Sequence, residues 1–436
     1  MGGLRVNIYK LSTLTKERRE YILKRAETDI SVHMALAKEI SDEVRDEGDA
    51  ALLRYTEKFD RVKLEPDAIA VKQSEIDAAF ARISPDVREA IEYAYKNIYD
   101  FHEKQLPEEM WFTSVDKGLL VGEKTTPIVD VCLYVPRGKG SFPSVLLMLG
   151  IPAIVARVPH VVVVTPPNEQ GHVDDAVLAA AKVIGIKEIY KVGGIQAVAA
   201  AAYGTQTVPK CHKIIGPGNA YATAAKRVLA QHIDVGLPAG PSECIILADE
   251  FADPHRVALD LMIEAEHGPD SAALLVTHSE ALVESVLPII ESQKAKLGEK
   301  RRAFVESVFS NYGGVIITDS LEESVDFVNE YAPEHMEVMT QAPFDILPMI
   351  KNAGEILLGD NTPVTLCNFV LGPNAILPTG AFAKTYSSVS VFDFLKRSSI
   401  GYASREGFER VKKFAETLAA VEGFETHTLA VKERLL

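Results

Sequence analysis

Residues 128–155 read IVDVCLYVPRGKGSFPSVLLMLGIPAIV, and the order of features within them decides the fold. Ile128 to Val135 is an apolar run of strand length interrupted only by Asp130, and a run of that kind is what burial on both faces of a strand requires. It ends in Pro136-Arg137-Gly138-Lys139-Gly140-Ser141-Phe142-Pro143, after which a helix is expected from Ser144. Strand, glycine-rich turn and helix in that order aim free backbone N–H groups at an anion such as a phosphate. The cycle recurs as strand Val161 to Thr165, helix Asp174 to Ile184 and strand Glu188 to Val192. Gly193-Gly194 then opens a helix from Gln196 to Tyr203, and strand Lys213 to Ile215 runs through Gly216-Pro217-Gly218-Asn219 into a helix ending at Leu229. Such alternation predicts a parallel sheet with helices on both faces. Neither glycine-rich turn completes the dinucleotide fingerprint, because Pro143 and Tyr221 stand where a third glycine belongs. A helix-cap loop and a nucleotide site are both open readings of these turns.

A second array follows the turn Leu237-Pro238-Ala239-Gly240-Pro241-Ser242-Glu243. It runs strand Cys244 to Ala248, helix Pro254 to His267, strand Ala272 to Thr277, helix Glu280 to about Lys296, strand Val315 to Thr318 and helix Leu321 to Tyr331. Two arrays predict an α/β protein of two doubly wound, incompletely Rossmann-like parallel-sheet domains with a ligand cleft between them. The expected division is a helical arm over 1–30, a first α/β domain over 31–127 with 240–385, a second over 128–239, and a helical tail over 386–436. Leu14 to Asp60 reads as a pair of amphipathic helices and Glu75 to Lys104 as two more, begun by Ser74 and by Ser84-Pro85. Residues 354–400 are rich in Gly, Pro, Asn and Thr and poor in charge before Lys384, a composition suited to a buried, irregular wall of a site. The tail beyond them has too few apolar residues for a core of its own, so it is expected to pack on another body such as a second subunit.

The chain has 436 residues, 47% hydrophobic and 25% charged, enough for several domains and a large core. Its formal net charge of −15 argues against nucleic acid or an anionic membrane as partner, since both are bound through Lys and Arg. Cys132, Cys211, Cys244 and Cys367 show no CxxC spacing, so neither a zinc finger nor a disulfide framework is expected, and a reducing cytoplasm fits. The most apolar stretch, Ser144 to Val164, is broken by Pro152, Arg157, Pro159 and His160 before the ~20 residues a membrane span needs.

Two spots carry candidate chemistry. In Tyr331-Ala332-Pro333-Glu334-His335-Met336 a carboxylate and an imidazole stand side by side after a proline, in extended or turn backbone. A His with an ordinary pKa near ~6.5 is the natural proton carrier at neutral pH, and an adjacent Glu can orient it or activate a water. Glu264 and His267 stand three apart at the end of the Pro254 helix, projecting from one face. They read either as half a metal site or as a solvated helix end.

With these pieces in order, the chain resembles the histidinol dehydrogenase family over nearly its whole length. The matching stretches are LYVPRGKGSFPSVLLMLGIPA, VGGIQAVAAAAYGT, KIIGPGNAYATAAKR, LPAGPSECIILAD, EAEHGPD, YAPEHMEV, GPNAILPTG, SVFDFLKRSSI and EGFETHTLAV. The resemblance implies a zinc enzyme that uses two NAD in succession to carry a primary alcohol through an aldehyde to a carboxylate. It implies Glu334 and His335 as the catalytic pair, and Glu264, His267, Asn368 and His427 as zinc ligands. Ser242, Glu264, His267, His335, Asn368, Glu422 and His427 match its substrate positions, and Tyr134, Gln196 and Asn219 its NAD positions. It also implies a homodimer in which His427 and Glu422 complete the partner's site.

Three departures stand out. The family usually has Gln at Glu264 and Asp at Asn368, exchanges that offset each other in charge, and its Gly-Pro-Asn-His has become Gly372-Pro373-Asn374-Ala375. The loss of an imidazole at Ala375 keeps two substrates in view. One is L-histidinol, the family's principal substrate. The other is a small hydroxylated acid such as 2,3-dihydroxypropane-1-sulfonate, handled by paralogues that resemble the family, such as sulfopropanediol dehydrogenase. A binding protein that kept the fold and lost catalysis is the remaining alternative.

Overall fold

The computed structural model of the protein describes residues 6–25, 30–137 and 140–434. Gly138 and Lys139 of the first glycine-rich turn lie outside the described residues. The chain begins with β1 (Ile8–Lys10), α1 (Lys16–Lys24), α2 (Ser31–Glu47), α3 (Asp49–Asp60), α4 (Gln73–Arg82) and α5 (Pro85–Glu103). The expected start signal of α5 is realised: the Ser84 hydroxyl accepts from Val87 N, and Pro85 fills the first turn. A hairpin of β2 (Met110–Asp116) and β3 (Leu119–Pro127) follows.

The first array is β4 (Asp130–Tyr134), α6 (Pro143–Val155), β5 (His160–Thr165), α7 (Asp175–Ile184), β6 (Glu188–Lys191), α8 (Gly194–Tyr203), β7 (Lys213–Ile215) and α9 (Ala220–Leu229). The second is β8 (Glu243–Ala248), α10 (Pro254–Ala265), β9 (Ala272–Thr277), α11 (Glu280–Lys294), α12 (Glu299–Ser310), β10 (Gly314–Ile317), α13 (Leu321–Tyr331), β11 (His335–Met339), α14 (Pro343–Ile346), β12 (Glu355–Leu358) and α15 (Val364–Phe369). β13 (Leu395–Ala403), α16 (Arg405–Val421) and α17 (Glu425–Lys432) close the chain.

Each array builds one parallel sheet. The smaller has the order β6-β5-β4-β7 and the larger β1-β10-β9-β8-β11-β12. Because side chains alternate along a strand, Val131 and Leu133 of β4 face the core shared with α4 to α7, whereas Cys132 and Tyr134 face the one shared with α2, α3, α8 and α9. In the larger sheet Cys244, Ile246 and Ala248 point at α10 to α12, and Ile245 and Leu247 at α13 and α1. Both sheets are thus covered on both faces, which is why their strands read as continuous apolar runs.

The structure differs from the expected division in three places. The helices of 31–103 pack on the smaller sheet rather than with the 240–385 block: Ile40, Val44 and Leu52 join one of its cores, and Ile76, Ile91 and Ile98 the other. Four strands flanked only by α6 to α9 would leave apolar faces uncovered, and these helices complete the cover. Residues 8–10, expected in a helical arm, form the edge strand β1, paired in parallel with β10. The tail, expected to be helical, begins with a nine-residue strand: β13 pairs antiparallel with β3 from Leu395↔Pro127 to Ala403↔Leu119.

That third sheet, β13-β3-β2, is thinly covered, and every residue of β2 is exposed. α16 buries only Gly407, and Phe414, Leu418, Val421, Phe424 and Leu429 of the tail all face outward. No helix among the described residues is long and apolar enough to cross a membrane.

Candidate functional site

The larger sheet gathers carboxylates at the amino-terminal ends of three adjacent strands. Glu243 is the first residue of β8, His335 of β11 and Glu355 of β12, and Glu334 immediately precedes β11. β11 lies between the other two, with His335 level with Cys244 on one side and Glu355 on the other. α10 runs back antiparallel to β8, so its last turn returns Glu264 and then His267 to the same edge. Six polar side chains from four elements therefore converge although these elements are far apart in sequence.

Their contacts are specific. His335 Nδ1 lies 2.5 Å from Glu355 Oε1, while Nε2 faces Glu334 Oε1 at 3.8 Å and Glu264 Oε1 at 4.0 Å. Glu334 Oε2 accepts from the backbone N–H of Glu243 at 2.9 Å. Glu243 in turn accepts from Gly380 N at 2.7 Å and meets Arg25 Nε at 3.3 Å. Arg25 also donates to the carbonyl of Tyr331 and stacks on its ring, 3.7 Å from the centroid, which ties the start of the chain to the turn before the pair. Glu264 Oε2 is bonded to His267 Nδ1 at 2.5 Å, and the Ser242 hydroxyl lies against the same carboxylate.

Burial sets the electrostatics. It pushes the Glu334 carboxyl up to about 8 against the pull of His335. Burial works against a charged His335, yet Glu334, Glu355 and Glu264 together carry its imidazole up to about 10. Glu264 feels the same desolvation, but His335 and His267 hold it below the ordinary carboxylate value. These protons belong to the cluster as a whole rather than to single residues. The arrangement is a buried imidazole with one nitrogen committed and the other aimed into an acidic recess. Chemically, it can move a proton at Nε2.

A second group forms at the opposite, carboxyl-terminal end of the smaller sheet. β4 and β7 are neighbours there although β5 and β6 intervene in the chain, which makes their ends the topological switch point where ligands bind in such sheets. Tyr134 ends β4, and its hydroxyl accepts from Gly194 N at 3.0 Å. Gln196 is 1% exposed, and its Oε1 meets no donor. Asn219 caps α9 by accepting from Tyr221 N and Ala222 N, both at 3.1 Å. A Cβ on Gly216, whose φ is +137°, would lie 2.2 Å from the Tyr134 carbonyl oxygen, so glycine is required for that close approach. Lys226, which sequence reasoning did not single out, donates to Gly216 O at 2.5 Å, and burial pulls its pKa down to about 8. An orphaned buried amide oxygen beside a helix start suits a polar ligand with hydroxyl donors.

The family model described as histidinol dehydrogenase matches residues 23–435, nearly the whole chain. The chain belongs to the histidinol dehydrogenase family. That makes it an NAD-dependent oxidoreductase acting on a CH–OH group. It is similar to the histidinol dehydrogenase of Synechocystis, at 49% identity over 98% of both chains. A histidinol dehydrogenase homolog of Colwellia psychrerythraea is 48% identical, over 98% of this chain and 96% of that one. The crystal structure of histidinol dehydrogenase from Elizabethkingia anophelis superposes with a TM-score of 0.92 at 33% identity, covering 100% of this chain and 98% of that one.

Against this family background, the fold brings Glu334, His335, Glu264, His267 and Ser242 together, and α15, which carries Asn368, packs against α10. Glu422 and His427 do not join them. Both are exposed on the tail, and among the described residues no three His, Cys, Asp or Glu side chains gather as a metal site. Ala375 is partly buried against the core of the smaller sheet, and the neighbouring Asn374 amide donates to Met148 O.

Glu355, Glu243 and Arg25 were not foreseen. Two of them carried a signal: a lone Glu heads the apolar runs Glu243-Cys244-Ile245-Ile246 and Glu355-Ile356-Leu357-Leu358, just as Glu334 precedes β11. A charge at the head of a doubly buried strand needs a partner.

Proposed function

We propose that the protein is a zinc-dependent dehydrogenase that oxidises L-histidinol through the aldehyde to L-histidine with two NAD in succession. The observation that carries this reading is the convergence of His335 Nε2, Glu334 and Glu264 in one buried recess. Glu264 Oε1 is buried there without a donor, and an unsatisfied buried carboxylate oxygen beside an imidazole fits a cation. Glu264, His267 and Asn368 would hold the zinc from one chain, with His427 supplied by a second copy. The coreless tail and its outward apolar residues support such a homodimer. Tyr134, Gln196 and Asn219 would hold NAD at the switch point.

When bound, NAD accepts the hydride and zinc polarises the substrate hydroxyl. The chain's own residues do the rest. Because its carboxylate neighbours raise its pKa to about 10, His335 acts on the alkaline side of neutrality: once Nε2 has lost its own proton, it takes the hydroxyl proton as the carbinol carbon is oxidised. Glu334, anchored by the Glu243 N–H, then removes a proton from the water that hydrates the aldehyde. Ser242 would orient the substrate from the same chain, together with Glu422 of the partner subunit. A cytoplasmic location accords with this biosynthetic role.

A second substrate has one specific observation in its favour. Ala375 presents a methyl packed on the smaller sheet's core where the family has an imidazole, which suits a smaller alcohol such as 2,3-dihydroxypropane-1-sulfonate, oxidised to sulfolactate. NADH release from the two alcohols side by side separates the readings. Turnover of L-histidinol at least tenfold above the diol supports the first, and the reverse order establishes the second.

A further inference from the structure

The geometry points to Glu355 as the residue that fixes the tautomer and orientation of His335, making a buried Glu–His dyad of what the sequence presents as a lone Glu-His dipeptide. The inference rests on the proposed role of His335 as base. It deepens that role by naming what sets the reacting nitrogen.

Register carries the argument. β11 and β12 are parallel neighbours with His335 level with Glu355, so their side chains leave the same face and meet. Of the two strands flanking His335, β8 offers Cys244, a neutral thiol, and β12 offers the carboxylate. Only the carboxylate is a strong acceptor for a ring N–H. With Nδ1 bonded to Glu355 at 2.5 Å, the proton of the neutral imidazole resides on Nδ1. Nε2 is then the lone-pair nitrogen, and it is the one directed at Glu334 and Glu264. Without Glu355 the ring has no reason to prefer that tautomer, because the other tautomer would place an N–H among the carboxylates of the recess. Glu355 is itself buried at 8% exposure, its Oε1 is committed to His335 and its Oε2 meets no donor, so the imidazole N–H is the contact that satisfies this carboxylate. Behind it is a cavity of about 340 Å³ lined by Gly354, Glu355, Leu358, Thr362, Asn374 and Ser388, wide enough for a small ion to reach the position of a truncated side chain.

A dyad and a merely structural carboxylate predict different behaviour. In Glu355→Gln the shape is kept and the charge lost. The dyad requires kcat to fall about tenfold or more, the usual scale for an orienting partner of a functional imidazole, while KM for the alcohol and the thermal unfolding midpoint stay near wild type. In Glu355→Ala the loss is larger and is partly recovered by added formate but not by formamide. Combined with His335→Gln, Glu355→Gln should add no further loss, since both act through one ring. A direct readout needs no turnover. The proton in the short Nδ1–H to carboxylate bond should give a low-field proton NMR signal in the full-length protein that is absent from both Glu355→Gln and His335→Gln.

Additive losses, a loss confined to KM, rescue by formamide as well as formate, or a low-field signal that survives Glu355→Gln would each overturn the proposal. Normal turnover in His335→Gln would instead overturn the base assignment on which it rests, so the two failures are distinguishable.

Discussion

Replacing His335 with Gln tests the reacting nitrogen at least disturbance to the fold. The ring is 3% exposed and bonded through Nδ1 to Glu355, so an apolar substitute would strand a buried carboxylate at about 1–3 kcal/mol. The Gln amide can still donate an N–H toward Glu355, which keeps that partner satisfied. What Gln cannot supply is a basic nitrogen where Nε2 now sits, 3.8 Å from Glu334 and 4.0 Å from Glu264. Loss of a positioned general base lowers a rate by ~10²-fold or more, which is about 2.7 kcal/mol of barrier. Removing the imidazole also takes away the one basic group that offsets the burial of Glu334, so the Glu334 carboxyl moves further above its already raised pKa. The second oxidation slows with the first.

The assay is stopped-flow NADH formation at saturating alcohol and NAD, with zinc content and thermal unfolding measured on the same preparation. The expected result is a folded, metal-loaded protein with a rate reduced ~10²-fold or more. A folded His335→Gln protein with a wild-type rate would refute the assignment.

Two further outcomes are expected. Glu264→Ala removes a fully buried carboxylate whose outer oxygen has no donor, and purified protein should lose most of its zinc by elemental analysis; full occupancy would count against Glu264 as ligand. His160 lies between Glu188 at 2.9 Å and Asp130 at 3.0 Å at the opposite end of the smaller sheet. Its hydrogen bond to Glu188 raises its pKa above the ordinary value against the effect of burial, with Asp130 adding to the rise. A raised folded pKa contributes stability that is fully present below the unfolded value near ~6.5 and disappears as pH climbs through the folded one. His160→Asn should therefore destabilise the protein by at most about 1 kcal/mol for these part-exposed groups. Thermal melts should show the gap at its widest near pH 6 and closing toward alkaline pH, and a gap independent of pH would exclude the linkage.

The same physical rules explain what the chain disclosed and what it withheld. β4, β5, β8 and β9 were legible because burial on both faces makes their interiors apolar, and α5 because Ser84 and Pro85 mark its start. The hairpin Met110 to Pro127 was not, because all of β2 is exposed and its pairing partner β13 lies near the other end of the chain. α12 escaped notice because Glu299-Lys300-Arg301-Arg302 masks a core contribution of only Val305, Val308 and Phe309. At the site, the Glu334-His335 dipeptide and the Glu264/His267 spacing were visible as local patterns. The Glu355 contact was not, since it depends on the register of β11 against β12, and pairing register is a tertiary property. Likewise, no sequence pattern reveals that α2 to α5 cover the smaller sheet rather than the larger.

The central claim is a four-electron oxidation run by Glu334 and His335 on L-histidinol, and counting NADH against alcohol consumed tests it most directly. With wild-type protein, zinc and excess NAD, the account predicts two NADH for each L-histidinol converted to L-histidine, without release of free aldehyde. One NADH per alcohol, or no NADH from L-histidinol while the sulfonate diol is turned over, would contradict it.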